Sequence, residues 1–365
     1  MLTKEIAGEI IKQTMTRLNR NINIMDHDGT IIASGDPDRI NQLHEGALDV
    51  LRTGKPITVT KKNKQHWKGA LPGINLPIQF QGQMIGVIGI TGNPEEIEEF
   101  GALVKMITEM MINQSFLTAQ EEWRHRLKEL IFDEWVQEEP NLETVKQRLN
   151  LLGMKVGTPC QVGLLEIDNS DRPLMNRELI RKLEEIFNEK RVMIGSLNVN
   201  RLFLLALGIT EGVFKRKLNQ AMDLLQRMNI AFRIGLGSSV KNPALIRYSL
   251  EESEISLLLG NGEQKLIAYA EIETKALIER VDARIKQQYL ERILQQMPDK
   301  MVETLECFFA NNLNISETAK AMYIHRNSLI YRIKKIKEDT GYNPQLFQDA
   351  VSLQLAVWIY TMRKK

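Results

Sequence analysis

Cysteine is almost missing from this sequence: two residues, Cys160 and Cys307, in 365. Two distant thiols give neither a disulfide framework nor the paired spacing of a zinc site, the pattern of a chain kept in a reducing compartment. Long apolar runs are missing too. The longest, such as LFLLALGI from Leu202 to Ile209, fall well short of the roughly 20 residues that cross a bilayer. The N-terminus MLTKEIAGEIIKQ carries Glu5 and Glu9 where a secretory signal needs an apolar core. Internal repeats and low-complexity tracts are absent. GLGSS at Gly235–Ser239 lacks the Lys of a phosphate-binding loop, and Gly86, Gly89 and Gly92 are spaced GxxGxxG on a strand, not in a dinucleotide loop. Asp26-His27-Asp28-Gly29 lacks the ligand spacing and closing Glu of a calcium loop. The chain reads as soluble and cytoplasmic, with no membrane partner, no metal site and no cofactor.

Charge is present in both signs and nearly cancels, at +2 overall. Its distribution is uneven. From Asn311 to Lys365 nine Lys/Arg stand against four acids, so the end carries +5 and the remainder −3. A basic terminal module on a slightly acidic body predicts a polyanionic partner for that end alone.

The length suits two or three domains. Residues 1–136 read as a small α+β module: a helix with Ile6 and Ile10 on one face, the alternating strand NINIM, a DHDG turn, the strand TIIAS, a helix near Gln42–Arg52, and strands at Pro56–Thr60, Ile74–Phe80 and Met84–Thr91. Pro94 then opens a helical run to about 136, longer than a small domain needs, which suits a connecting rod or a dimer seam. Strands and helices alternate through 140–275, giving a second sheet covered by helices. Residues 280–365 read as all-α.

The stretch ISETAKAMYIHRNSLIYRIKKI, Ile315–Ile336, has the strongest local logic. Asn314 is placed to cap a helix, with Glu317 to complete a capping box. A short break falls at Tyr323–His325, and Tyr323 stands where many such turns use Gly. A second helix follows, stopped at Gly341. At 100° per residue Leu329, Ile333 and Ile336 share one arc, whereas Asn327, Tyr331, Lys334 and Lys335 lie opposite. This is the pattern of a helix-turn-helix that enters the DNA major groove. Asn327 suits an adenine edge, with Arg326 and Ser328 beside it at the leading end and Ile330 near a thymine methyl. Tyr331, Lys334 and Lys335 suit phosphates.

The residues ETAKAMYIHRNSLIYRIKKI resemble the C-terminal domain of the PucR and sugar-diacid regulator families. The recognition helix there carries an HRNTLxYRL signature, from which HRNSLIYRI departs at Ser328 and Ile333. NINIMDHDGTIIASGDPDRINQLHEGA and GINLPIQFQGQMIGVIGITGNPEEI resemble the sugar-diacid recognition domain, and the middle resembles a degenerate GGDEF-like domain. Where a working cyclase has its GG(D/E)EF hairpin, this chain reads NVNRLFLLA, without the Gly pair or carboxylates. The resemblance implies a multidomain α/β protein: a PAS/Cache-like α+β sensor, a non-catalytic GGDEF-like scaffold and an all-α helix-turn-helix domain. It implies a transcriptional regulator, an activator rather than an enzyme, bound as a homodimer or larger homo-oligomer to a double-stranded DNA operator. Its effector would be a small carboxylate: glucarate, galactarate, glycerate or glycolate. A PucR-like regulator of purine or allantoin catabolism is the alternative, and a cyclase-like enzyme a remoter one.

For that effector, Arg39 offers a guanidinium fork to a carboxylate. Ser34 offers a hydroxyl, Gly35 a backbone N–H, His44 a ring N–H, and Asn75 both a donor and an acceptor. The resemblance implies that these positions face the ligand. The same residues also suit a plain capped turn at Asp36–Arg39 and a packing role for His44.

Overall fold

Short apolar stretches broken by Asx/Gly turns produce an antiparallel sheet near the N-terminus. A computed structural model describes residues 2–18, 20–67, 70–167, 175–187, 190–260, 264–295 and 297–363. Lys364 and Lys365, two of the nine basic residues counted above, lie outside the described residues. The chain forms two units, Met1–Arg126 and Leu127–Lys365.

The first unit contains α1 (Lys4–Leu18), β1 (Ile22–Met25), β2 (Ile31–Ser34), α2 (Glu45–Thr53), β3 (Ile57–Val59), β4 (Gly73–Phe80), β5 (Gln83–Thr91) and the start of α3 (Pro94–Trp135). The five strands are antiparallel in the order β2-β1-β5-β4-β3. Asp26 builds the β1–β2 turn, its Oδ1 accepting from the N–H groups of Asp28 and Thr30, both at 3.0 Å. The β4–β5 hairpin turns through Gln81 and Gly82, with φ of 49° and 78°, the pair of positive values that a two-residue type I′ turn requires. Alternation sorts the side chains by face. Ile22, Ile24, Ile88 and Ile90 pack with Ala7, Ile10, Ile97 and Val104 from α1 and α3. Met25, Ile31 and Val87 face the other way, against Ala47 and Val50 of α2.

The second unit begins inside α3, because Leu127, Ile131, Phe132 and Trp135 belong to its core. It continues with α4 (Leu142–Leu151), β6 (Cys160–Ile167), α5 (Met175–Ile186), β7 (Val192–Asn198), β8 (Arg201–Leu207), α6 (Glu211–Arg227), β9 (Phe232–Leu236), α7 (Ile246–Leu259) and β10 (Leu266–Ala268). The sheet order is β10-β9-β6-β8-β7, with only β10 and β9 parallel. α5 and α6 cover one face; α4, α7 and the end of α3 cover the other. Phe132 stacks on Phe203 with centroids 3.9 Å apart, and Trp135 Nε1 donates to the Pro243 carbonyl at 2.9 Å.

Six helices complete the unit: α8 (Tyr269–Glu279), α9 (Ala283–Ile293), α10 (Asp299–Ala310), α11 (Ile315–Ala321), α12 (Arg326–Thr340) and α13 (Phe347–Arg363). Leu290, Val302, Leu305, Ile336 and Leu353 share one core. Phe308, Ala319, Leu329 and Ile333 share a second. Among the described residues no helix is long and apolar enough to cross a membrane.

Trp135→Ala should destabilise the full chain by about 3–5 kcal/mol, because it removes a large buried ring and leaves a cavity. Trp123→Ala, on the exposed side of α3, should stay within about 0.5 kcal/mol. Urea unfolding of both variants checks the contrast.

Candidate functional site

The first sheet carries a polar row on its α2 face. Strand register places Ser34 beside Asn23, Asn23 beside Gly89, and Gly89 beside Asn75. Gly89 sits between the two amides, and a Cβ there would lie 2.8 Å from Asn75 Oδ1. The glycine therefore forms the floor of a trough. Asn23 and Asn75 are 2% and 4% exposed, and His44 at the head of α2 is 8% exposed. Together with Arg39, Leu71 and Thr91 they line a cleft with ≈ 10 Å³ of room, about one water molecule.

The partners define what each group can offer. Ser34 Oγ donates to Asn23 Oδ1 at 2.6 Å and accepts from the Asp36 N–H at 2.9 Å. The Asn75 amide makes no hydrogen bond to the described residues and opens onto the cleft, where a water or a ligand can satisfy it. His44 Nδ1 accepts from the Ala47 N–H at 3.2 Å, capping α2. A ring that accepts at Nδ1 and is neutral carries its proton on Nε2, leaving a neutral donor. Burial, then the charge of Arg39, holds the His44 pKa below its usual value, against the opposing effect of a backbone hydrogen bond.

The sequence expectations are sorted by this geometry. Arg39, His44 and Asn75 line one cleft. Ser34 reaches it through Asn23. The Gly35 N–H donates to the Ile22 carbonyl at 3.1 Å, so it is not the available donor that was expected. Asp36 does cap the turn Pro37–Arg39, its Oδ1 accepting from the Asp38 N–H at 3.2 Å, and His44 does serve as a cap, so the structural roles coexist with the cleft. Asn23 and Gly89 escaped the sequence reading. The signal for Asn23 was its place in NINIM, a polar side chain on the same face as Met25.

The C-terminal unit carries the second constellation. Asn314 Oδ1 accepts from the N–H groups of Ser316 and Glu317 at 2.9 and 3.2 Å. The return half of a capping box is replaced, because the Asn314 N–H donates to the Asn311 carbonyl. Tyr323 adopts φ of 50°, the left-handed conformation that Gly takes most readily, and is 96% exposed. His325 caps α12, its Nδ1 accepting from the Asn327 N–H, and Gly341 closes the helix at φ of 78°. Leu329, Ile333 and Ile336 are buried; Arg326, Asn327, Ser328, Ile330, Tyr331 and Lys334 stand exposed. Lys335 is half-buried and paired with Asp339 at 2.9 Å, a bond that raises its pKa, so it is not a free phosphate contact. Arg332 donates to Thr304 Oγ1 on α10 at 3.2 Å.

In the middle region, Glu166 at the end of β6 accepts from Arg201 Nε and Nη2 at 3.0 and 2.7 Å, and from Arg233 Nη2. Burial pushes its pKa up, but the hydrogen bonds from Arg201 and Arg233 outweigh this and hold it below the usual carboxylate range. The β7–β8 turn, Asn198–Arg201, carries no carboxylate. This donor set does not match a two-metal phosphoryl-transfer site.

The pKa shift of His44 has a sign. The folded chain takes up this proton less readily than the unfolded chain. The resulting stability is fully present above the ordinary value of 6.5 and is lost as pH falls through the lower folded value. A Tm that declines as pH falls below 6.5, with a shallower decline in His44→Asn, is the expected result.

Family models match along almost the whole chain: sugar diacid recognition over residues 2–135, a GGDEF-like domain over 137–259, and the PucR C-terminal helix-turn-helix domain over 301–359. The Carbohydrate diacid regulator of Escherichia coli (strain K12) is 30% identical, over 98% of this chain and 97% of that protein. A protein of Haemophilus influenzae is 27% identical over 99% of both chains. The Purine catabolism regulatory protein of Bacillus subtilis is 36% identical over 17% of this chain and 12% of its own length. A buried polar cleft, an uncovered helix-turn-helix strip and similarity end to end agree: the chain is a transcriptional regulator and belongs to the carbohydrate diacid regulator family.

Proposed function

We propose that this chain is a cytoplasmic transcriptional activator that binds operator DNA as a homodimer and is switched by a small carboxylate: a sugar diacid such as glucarate or galactarate, or a hydroxy acid such as glycerate or glycolate. In this reading residues 1–136 are a PAS/Cache-like sensor, 140–275 a GGDEF-like scaffold without catalysis, and 280–365 the DNA-binding domain. The observation that carries it is the cleft of Asn23, Arg39, His44 and Asn75. A cation, a neutral ring donor and a buried amide match a carboxylate with neighbouring hydroxyls. With room for about one water, the cleft must open for such a ligand, so binding and conformation are coupled. A ligand that favours the opened arrangement shifts the population toward it.

At the DNA end, Asn327 reads a base edge, Arg326 and Ser328 sit beside it, and Tyr331 and Lys334 hold phosphates. Lys335 joins them when phosphate displaces Asp339. The purine-catabolism alternative draws on a relative that matches over only 63 residues, 17% of this chain.

A thermal-shift screen of diacids, hydroxy acids and ureides tests the effector class. Wild-type chain should gain Tm with one of the first two groups. His44→Asn should keep the helix cap yet lose that gain, because Asn supplies a cap acceptor but no donor at the Nε2 position. A gain with ureides alone would overturn the carboxylate reading.

DNA binding is tested separately. Asn327→Ala should cost about 1–3 kcal/mol at one base position and relax choice there. Lys334→Ala should weaken all sequences alike and reduce the salt slope by about 1. Filter binding across a salt series distinguishes the two. Incubation with guanosine triphosphate and magnesium should give no turnover.

A further inference from the structure

The first unit leaves one regular apolar surface uncovered. Along α3, Leu103, Met106, Met110, Asn113, Leu117 and Gln120 are all exposed, Met110 at 61%. Their spacing alternates three and four without a slip. The opposite side of the same helix, at Ile97, Val104 and Ile112, is already buried against the sheet. Four of the six are apolar, and a solvent-facing helix surface has no need of apolar residues in this three–four alternation. That repeat is what a helix shows when it packs lengthwise against another helix.

We propose that this seam is the site of self-association, with α3 of one chain packed in parallel and in register against α3 of a second copy. The proposal rests on the dimeric reading above and names its interface. Asn113 argues for an identical partner. It lies in the middle of the apolar seam, where a polar side chain is costly unless paired, and only a parallel, in-register copy sets Asn113 against Asn113. Asn113 falls at a d position of the repeat, where the two amides face each other across the seam and can satisfy each other. An antiparallel copy would bury Asn113 against Met110.

Charge permits the same arrangement. The flanking pairs would be Ala102 with Ile107, Glu109 with Gln114, and Phe116 with Glu121, so no like charges meet. Glu109 is occupied on its own chain by Lys105 and the Gln79 N–H. The seam ends where the heptad loses its apolar residues. Glu99 precedes Leu103 at one end, where two copies would bring carboxylates together, and at the other end Leu127 and Ile131 turn into the core of the second unit.

The test uses the full chain in sedimentation velocity. Wild type should sediment at twice the chain mass of 41.9 kDa. Met110→Glu should sediment as a monomer while still unfolding cooperatively at a similar Tm. Asn113→Cys should form a disulfide-linked dimer under mild oxidation, which wild type under the same conditions should not. A monomeric wild type, or a Met110→Glu dimer together with an uncrosslinked Asn113→Cys, overturns the seam. The DNA readout separates the two proposals. A monomeric Met110→Glu that still binds duplex weakly leaves the regulator reading intact. A dimeric wild type that binds no DNA sinks that reading and leaves the seam standing.

Discussion

A row of buried polar groups across one face of the first sheet is the constraint around which the first unit is arranged. Asn75 is 4% exposed, faces the cleft, and is separated from Asn23 only by the missing side chain of Gly89. Folding alone would replace such a row with apolar residues, as it does on the opposite face with Ile22, Ile24, Ile88 and Ile90. A sheet that keeps three polar side chains where its neighbours are isoleucines breaks a local rule, and rules are broken at sites of use. His44 completes the arrangement because one ring nitrogen fastens α2 and thereby dictates the proton on the other.

The long helix contributes side chains to the cores of both units. Ile97, Val104 and Ile112 of α3 belong to the sensor core. Leu127, Ile131, Phe132 and Trp135 of the same helix belong to the next core, held by the ring stack on Phe203 and the indole bond to Pro243. The ion pair of Lys128 with Glu184, nearly buried, fixes the same segment to α5.

Much of the DNA-binding end was legible in the sequence because one periodicity decides it. Leu329, Ile333 and Ile336 must be covered together, and the outer strip follows from that constraint. What periodicity cannot show is a partner choice, so the capture of Lys335 by Asp339 and of Arg332 by Thr304 emerged only from the fold. In the first unit, the sequence reading named Arg39, His44 and Asn75, and the fold brings the three to one cleft. Asn23 was passed over because reading NINIM as a strand did not ask which side chains share the α2 face. Gly89 was weighed against a dinucleotide loop and dismissed, whereas its meaning lay in two cross-strand neighbours more than a dozen residues away. The three-residue strand β10 and the helix α4 were too brief or too polar to register.

The pairing of Lys335 with Asp339, and the looser approach of Lys334 to Glu338 at 4.0 Å, have a consequence for how the regulator searches a chromosome. Each acid is a counterion tethered to the protein itself. A phosphate must displace it before the lysine is won, so random duplex gains less from these lysines than their number suggests. The charge this face presents is therefore lower than its count of Lys and Arg indicates.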